Sequence, residues 1–307
     1  MSPTAEPWGI YRGTGLPGSG AAAGPWPQPP PWRRFDGGPD LPPPPDDPYA
    51  SAVLGDGAKP LPAAPDEVER VNAALALRRP LLVTGGPGTG KSTLAYRIAR
   101  ELDLGRVLRW RLTSVSTLQE GLYDGAGRLG PLGTAFLPYR RPRVVLLDRL
   151  DRAELALPED LCTVLDAGGF TVPGAPAHVA TDDAAEAAIP LRGGTVRCHA
   201  FPLVVITTGG DRDLSPALAD QCVPLTLPPP TRETLQAIAS ARFPQDLAQD
   251  IVTAFLDRAE TAQGPAVRRL LDALHLATGG ALASLAEGRS WQEALDTVWS
   301  WTETEQP

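Results

Sequence analysis

The chain has 307 residues, 42% of them hydrophobic, enough for one large domain or two modest ones with a buried core. Its 36 acidic and 28 basic residues leave a net charge of −8, which repels nucleic-acid backbones and anionic membrane surfaces and argues against both as partners. Three widely spaced cysteines (Cys162, Cys198, Cys222) and three histidines in unrelated contexts (His178, His199, His275) exclude a disulfide framework, a Cys or His metal site and a Ser/His/Asp triad.

The first residues carry neither a basic stretch nor an apolar core, and no segment approaches the ~20 apolar residues of a membrane span. The expectation is a cytoplasmic protein whose cysteines are core thiols in a reducing compartment.

Residues 1–62 hold nearly half of the 35 prolines, in runs such as Pro29–Pro31 and Pro42–Pro45, with many glycines between. Such a segment forms no hydrogen-bonded ladder and is expected to be extended or disordered. The aromatic residues Trp8, Tyr11, Trp26, Trp32 and Phe35 are unusual for a linker, and leave open that this leader docks on its own domain or on a partner.

From Asp66 the pattern changes. Val68, Val71, Ala74 and Leu75 recur at helical spacing behind an acidic first turn. A short apolar strand (81–84) runs into glycines, followed by a helix with the stripe Leu94, Ile98, Leu102. Residues 106–112, 143–148 and 201–208 read as further buried strands, and 223–227 as a last short one before Pro228–Pro230. Arg140, Arg141 and Arg143, the densest basic run, read as a solvated flank beside a strand.

Strands alternating with helices predict an α/β fold with a parallel sheet covered on both faces. Beyond the prolines only helical patterns remain. The predicted organisation is thus a leader (1–62), an α/β core (63–227) and a small all-helical lobe (228–307).

Gly85–Ser92, GGPGTGKS, matches GxxxxGK[ST] and lies between the first strand and a helix, the context this motif requires. Gly85, Gly86, Pro87, Gly88, Thr89 and Gly90 would turn the backbone so that successive N–H groups and the helix N-terminus cradle phosphates. Lys91 supplies a point charge, Ser92 a hydroxyl for Mg²⁺, and Thr93, next on the helix, is the last of the expected nucleotide-binding residues of the loop. Asp148 closes an apolar strand 57 residues after Lys91 and is the candidate to hold the metal through water; the alternative is a turn or cap residue.

With these motifs in order, residues 66–230 resemble the MoxR-like AAA+ ATPases, particularly bacterial members with a Pro-rich leader. The matching stretches include VNAALALRRPLLVTGGPGTGKST, RRPRVVLLDRLD, FPLVVITTGGDRD and CVPLTLPPP. The resemblance implies a five-stranded AAA+ P-loop core, a helical lid, ATP and Mg²⁺ as ligands, and a ring of this chain or of a paralogous AAA+ subunit. It also implies protein partners, often with von Willebrand A domains, and a remodelling or chaperone-like task. By the same resemblance Val71 and Asn72 match the stretch lining the adenine pocket, with helix packing as the alternative. Arg268 and Arg269 either include a lid contact to the γ-phosphate or face solvent. Trp291, Trp299 and Trp301 either pack the lid or form a docking edge.

The sequence departs from the family at three catalytic positions. Arg149 stands where the family has the water-polarising Glu, and a guanidinium neither accepts a hydrogen bond nor acts as a base. Gly209 stands in place of the γ-phosphate-sensing Asn, and Asp220 and Gln221 in place of arginine fingers. Losing a base costs ~10²- to 10⁴-fold in rate and losing a finger ~10³- to 10⁵-fold. A nucleotide-binding pseudo-ATPase is expected. The alternatives are that Asp151, Glu154 or Glu159 replaces the Glu and Arg212 acts as a displaced finger, or that the chain holds ATP in a mixed ring. A small-molecule kinase is disfavoured because no acceptor-binding motif follows.

Overall fold

The computed structural model describes residues 9–20, 25–38, 41–42, 47–174, 177–183, 189–191, 193–243, 249–261, 266–280, 284–285, 287 and 290–301. Among them the strands, in chain order, are β1 (Leu81–Thr84), β2 (Leu108–Arg111), β3 (Val144–Asp148), β4 (Gly169–Thr171), β5 (His178–Val179), β6 (Ile189–Pro190), β7 (Thr195–Arg197), β8 (Leu203–Thr207) and β9 (Val223–Thr226). The helices are α1 (Ala50–Leu54), α2 (Glu67–Leu77), α3 (Lys91–Leu102), α4 (Leu118–Leu122), α5 (Pro131–Ala135), α6 (Leu157–Ala167), α7 (Pro216–Gln221), α8 (Arg232–Arg242), α9 (Gln249–Thr261), α10 (Ala266–Thr278) and α11 (Trp291–Trp301).

β1, β2, β3, β8 and β9 form one all-parallel sheet in the order β2-β3-β8-β1-β9. The register places Leu81 between Val205 and Val223, and Val145 between Leu108 and Val204. β3 and β8 are buried along their whole length, as the continuous apolar runs VVLLD and LVVIT require. Side chains alternate between the two faces. Leu108, Val145, Leu147, Val204 and Ile206 pack towards α5 and α6, while Leu81, Val83, Leu146, Val205 and Leu225 pack towards α2 and α3. The α/β class, the parallel sheet flanked by helices and the following helical lobe are as the sequence predicts.

Pro228–Pro230 cannot extend the sheet, and Thr231 caps α8 by accepting the Thr234 amide. Helices α8 to α11 enclose their own core of Leu235, Phe255, Leu270, Leu274, Leu295 and Trp299, with the rings of Phe255 and Trp299 6.2 Å apart. Trp299 is therefore a core residue and Trp301 is exposed. The side chain of Trp291, like the whole of Trp8, lies outside the described residues.

Among its described residues the leader has little regular structure beyond α1, and parts of it pack on the core while others, such as Trp32 and Tyr49, are exposed. Tyr11 and Ile10 are buried among core residues of α2 and α3, and Leu54 and Leu61 join the same cluster. Asn72 accepts the amides of Ile10 and Tyr11, each at 3.0 Å, and donates to the Tyr11 carbonyl at 2.9 Å. Glu101, fully buried on α3, accepts the amides of Gly13 (3.2 Å) and Gly15 (2.7 Å) and a short bond from Arg12 (2.5 Å). Arg97 and Arg100 donate to leader carbonyls, including Gly13 (2.7 Å) and Gly15 (2.7 Å). On the opposite face Phe35 stacks on Phe201 at 5.5 Å.

The basic run is not a uniform solvated flank. Arg143 has no exposed surface and makes a two-pronged ion pair with the buried Asp183, at 2.7 and 2.8 Å, beneath the Tyr139 ring. Asp183 arrives from the segment between β4 and β7, which the sequence pattern did not reveal as structured. A buried guanidinium is tolerated because the carboxylate matches its planar fork. Cys198 and Cys222 are buried and Cys162 is half-buried, all three as free thiols.

Candidate functional site

β1 ends at Thr84, and residues 85–90 loop over the C-terminal edge of the sheet before α3 begins at Lys91. Gly85 is confined to glycine because a Cβ there would lie 2.5 Å from the Leu227 carbonyl oxygen, at a φ of +140°. Lys91 Nζ donates to the carbonyls of Gly85 (2.7 Å) and Gly86 (2.8 Å), folding the side chain back over the loop. Burial and the Arg149 guanidinium hold the Lys91 ammonium below its usual pKa, against the charges of Asp151 and Asp148.

The loop opens into a cavity of about 930 Å³. Gly88, Thr89, Gly90, Lys91, Ser92 and Thr93 form one wall. Leu61–Pro65, where the leader joins the core, form a second, and Pro228–Thr231, Ile238, Val267, Arg268 and Leu271 a third. One side is thus polar and rich in N–H groups, and the others mix apolar residues with charged ones such as Glu67, Arg97, Glu233 and Arg268. Arg268 reaches this cavity from α10, whereas Val71 and Asn72 do not line it. Val71 is packed in the core, and the side chain of Asn72 is taken up by the leader backbone.

Asp148 lies where the sequence places it, with Ser92 Oγ donating to its Oδ1 at 2.7 Å. Thr207, at the end of β8, donates to the same oxygen at 2.9 Å. The second oxygen is engaged by Arg109 of β2, through Nε at 3.2 Å and through Nη2. Burial raises the Asp148 pKa, but the bonds from Ser92, Arg109 and Thr207 outweigh it and hold the carboxyl below its usual value. Arg109 was not foreseen as a site residue. In LRWR it reads as the outward member of an alternating strand, and only the β2–β3 pairing brings it to Asp148.

The two residues expected to hold Mg²⁺ are together, and Ser92 retains an oxygen lone pair for such an ion. Asp148 does not fit that role. A carboxylate offers about four acceptor sites, and the four donors from Ser92, Thr207 and Arg109 use them all.

Arg149 is exposed at the N-terminus of a single 3₁₀ turn, in the left-handed region at φ 69°, and its amide donates to Thr207 Oγ1 at 2.9 Å. Gly209 donates its amide to Asp151 Oδ2 at 2.9 Å, and Asp211 adds a second amide at 3.2 Å. A Cβ on Gly209 would lie 3.1 Å from that oxygen, so the missing side chain leaves room for the Asp151 carboxylate. Asp151 is 5% exposed, and its Oδ1 is buried with no hydrogen-bond partner. Arg212 is tied to the Ala153 carbonyl at 2.9 Å. Gln221 bonds Asp166 at 2.8 Å, and Asp220 is exposed.

No helix among the described residues is long and apolar enough to cross a membrane. No protein-family model matches the chain, and no curated protein matches it. Among solved structures the chain is similar to NtrX from Brucella abortus in complex with ADP, at 16% identity and a TM-score of 0.36, over 73% of this chain and 45% of that one. It is also similar to NtrX from Brucella abortus in complex with ATP, at 14% identity and a TM-score of 0.44, over 72% of this chain and 51% of that one. This chain therefore spans about half the length of those structures, and the two nucleotides are ligands of those proteins.

Proposed function

We propose that this chain is an ATP-binding protein of the AAA+ type, MoxR-like, that acts as a nucleotide-dependent switch or scaffold with weak or absent hydrolysis. The observation that carries the reading is the pairing of a complete phosphate-binding loop, opening into a cavity of about 930 Å³, with Arg149 and Gly209 at the positions of base and sensor. The cavity has room for a triphosphate against the loop and a base against the apolar residues Leu61, Pro229, Ile238 and Leu271. The helical lobe and the leader both border it, so a bound nucleotide favours whichever arrangement of these walls it contacts best. A ring of this chain or of a paralogous subunit, and a protein partner with a von Willebrand A domain, belong to this reading by family resemblance, as does a cytoplasmic location. Mg²⁺ held by Asp148 does not, because Arg109 occupies the carboxylate.

The test is phosphate release beside thermal melting in ATP and ADP, for wild type and Lys91→Ala. Expected is a wild-type stabilisation of about 2.7 kcal/mol at a hundredfold excess of ATP over Kd, absent in Lys91→Ala, with no phosphate release above that variant. A wild type that ATP neither stabilises nor assembles sinks the proposal.

A second reading, an active ATPase that remodels partner proteins, is favoured by one observation, the unpartnered Asp151 Oδ1. Asp151 is held through its other oxygen by Gly209 and Asp211 and is close enough to Lys91 to influence its charge. In that reading it replaces the missing Glu as base. Turnover that disappears in both Lys91→Ala and Asp151→Asn selects it.

A further inference from the structure

Arg109 and Asp148 form a partly buried ion pair at the point where the sheet meets the phosphate-binding loop. The Asp148 side chain is 5% exposed and that of Arg109 is 32% exposed. β2 and β3 are parallel neighbours, with Arg109 opposite Leu146 and Arg111 opposite Asp148, so the long Arg109 side chain runs forward along the strand to reach the carboxylate. Leu108 and Trp110, its neighbours on β2, are buried, which fixes the strand and hence the guanidinium. On the other side Ser92 and Thr207 fix Oδ1.

Two consequences follow for a cation at this position. No acceptor site of Asp148 remains for a metal-bound water. A guanidinium also keeps its proton at any working pH, so a dication beside it meets a permanent like charge. The charge that a metal would bring is already covalently part of the chain. Arg149 adds a further cation within electrostatic reach of Lys91. Among the described residues no cluster of three or more His, Cys, Asp or Glu offers another place for a metal.

We propose that this chain binds its nucleoside triphosphate in the metal-free form, with Arg109 supplying the fixed positive charge that balances Asp148. The inference rests on the nucleotide site proposed above and specifies the ligand's form. Removing Arg109 uncovers Oδ2 and restores the arrangement a divalent cation needs.

The test is calorimetric titration of the full chain with ATP in excess EDTA and in excess MgCl₂. Wild type is expected to bind about tenfold or more tighter in EDTA than in MgCl₂, where most of the ATP is tied up as the metal complex, whereas Arg109→Gln reverses this preference and binds tighter in MgCl₂. Arg109→Lys, which keeps the charge, is expected to stay near wild type. Electron paramagnetic resonance of Mn²⁺ added with ATP supplies an independent readout, with bound Mn²⁺ in Arg109→Gln and none in wild type. If Arg109→Gln fails to fold, the wild-type comparison and the Mn²⁺ spectrum still decide. Wild-type affinity in MgCl₂ that equals or exceeds that in EDTA, or wild type that holds Mn²⁺, overturns the proposal. Absence of ATP binding in both buffers overturns it together with the nucleotide-site reading, an outcome distinct from metal-dependent binding.

Discussion

Lys91 and Glu101 stand at opposite ends of α3, Lys91 bonded to the carbonyls of Gly85 and Gly86 and Glu101 to the amides of the leader. At 1.5 Å per residue they are about 15 Å apart along one rigid helix. The helix that begins with the lysine of the glycine-rich loop is thus also the post to which the leader is fastened.

Glu101→Ala is expected to cost about 3 kcal/mol, since hydrogen bonds to a buried charged group contribute ~1.5–3 kcal/mol and the partners are left unsatisfied. Urea denaturation measures the loss. Limited proteolysis should show new cleavage near Gly13–Gly18 before the core is cut. A variant that melts like wild type and resists cleavage there contradicts the clasp.

Asn72 separates two roles by experiment. Its side chain bonds Ile10 and Tyr11, so Asn72→Ala is expected to lower stability by about 2 kcal/mol while leaving ATP affinity within about threefold of wild type. A tenfold or greater loss of ATP affinity in a variant of normal stability would instead place Asn72 at the adenine.

Arg143 and Asp183 form a pair whose breakage leaves a lone buried charge. Asp183→Ala is expected to destabilise by about 3–5 kcal/mol, and Arg143→Met with Asp183→Leu by much less. A double-mutant cycle in urea gives the coupling. Equal losses in the single and double variants argue against a shared charge penalty.

Burial pushes the thiols of Cys198 and Cys222 from 9.0 up to about 12. The unfolded chain therefore releases these protons from pH 9 upward while the folded chain keeps them. The stability they preserve is complete below pH 9 and declines by up to about 1.4 kcal/mol per pH unit per thiol between pH 9 and about 12. Unfolding curves at pH 8 and 10 should show a steeper loss for wild type than for Cys198→Ala/Cys222→Ala. Under native conditions at pH 8, Cys162 should react first with a thiol reagent. Equal reactivity of all three refutes the burial argument.

Four of the five sheet strands and the glycine-rich loop were legible because each is written in consecutive residues, as apolar runs ending at glycines, prolines or Asp148, and β2 was legible as the alternating LRWR. Three features were not legible. Arg109 reaches Asp148 only through strand pairing, and no local pattern distinguishes it from a solvated strand residue. Asp183 lies in a segment of two-residue strands, too short for any periodicity, so the buried fate of Arg143 had no signal. The docking of the leader was hinted at by Tyr11 and Phe35, but its acceptors Asn72 and Glu101 read as an ordinary helix polar residue and an ordinary helix charge. Asn72 was singled out for the adenine by resemblance, while its partners lie 61 and 62 residues earlier.

The clasp also sets an order in time. Gly15 is synthesised 86 residues before Glu101, and Tyr11 61 residues before Asn72. At about 5–20 residues per second, roughly four to seventeen seconds separate the emergence of the leader from that of its carboxylate anchor. Closing loops of this length must follow, not precede, formation of α3. The leader leaves the ribosome well before its anchors and is therefore among the latest segments to find its place, and until then its aromatic residues are accessible to chaperones.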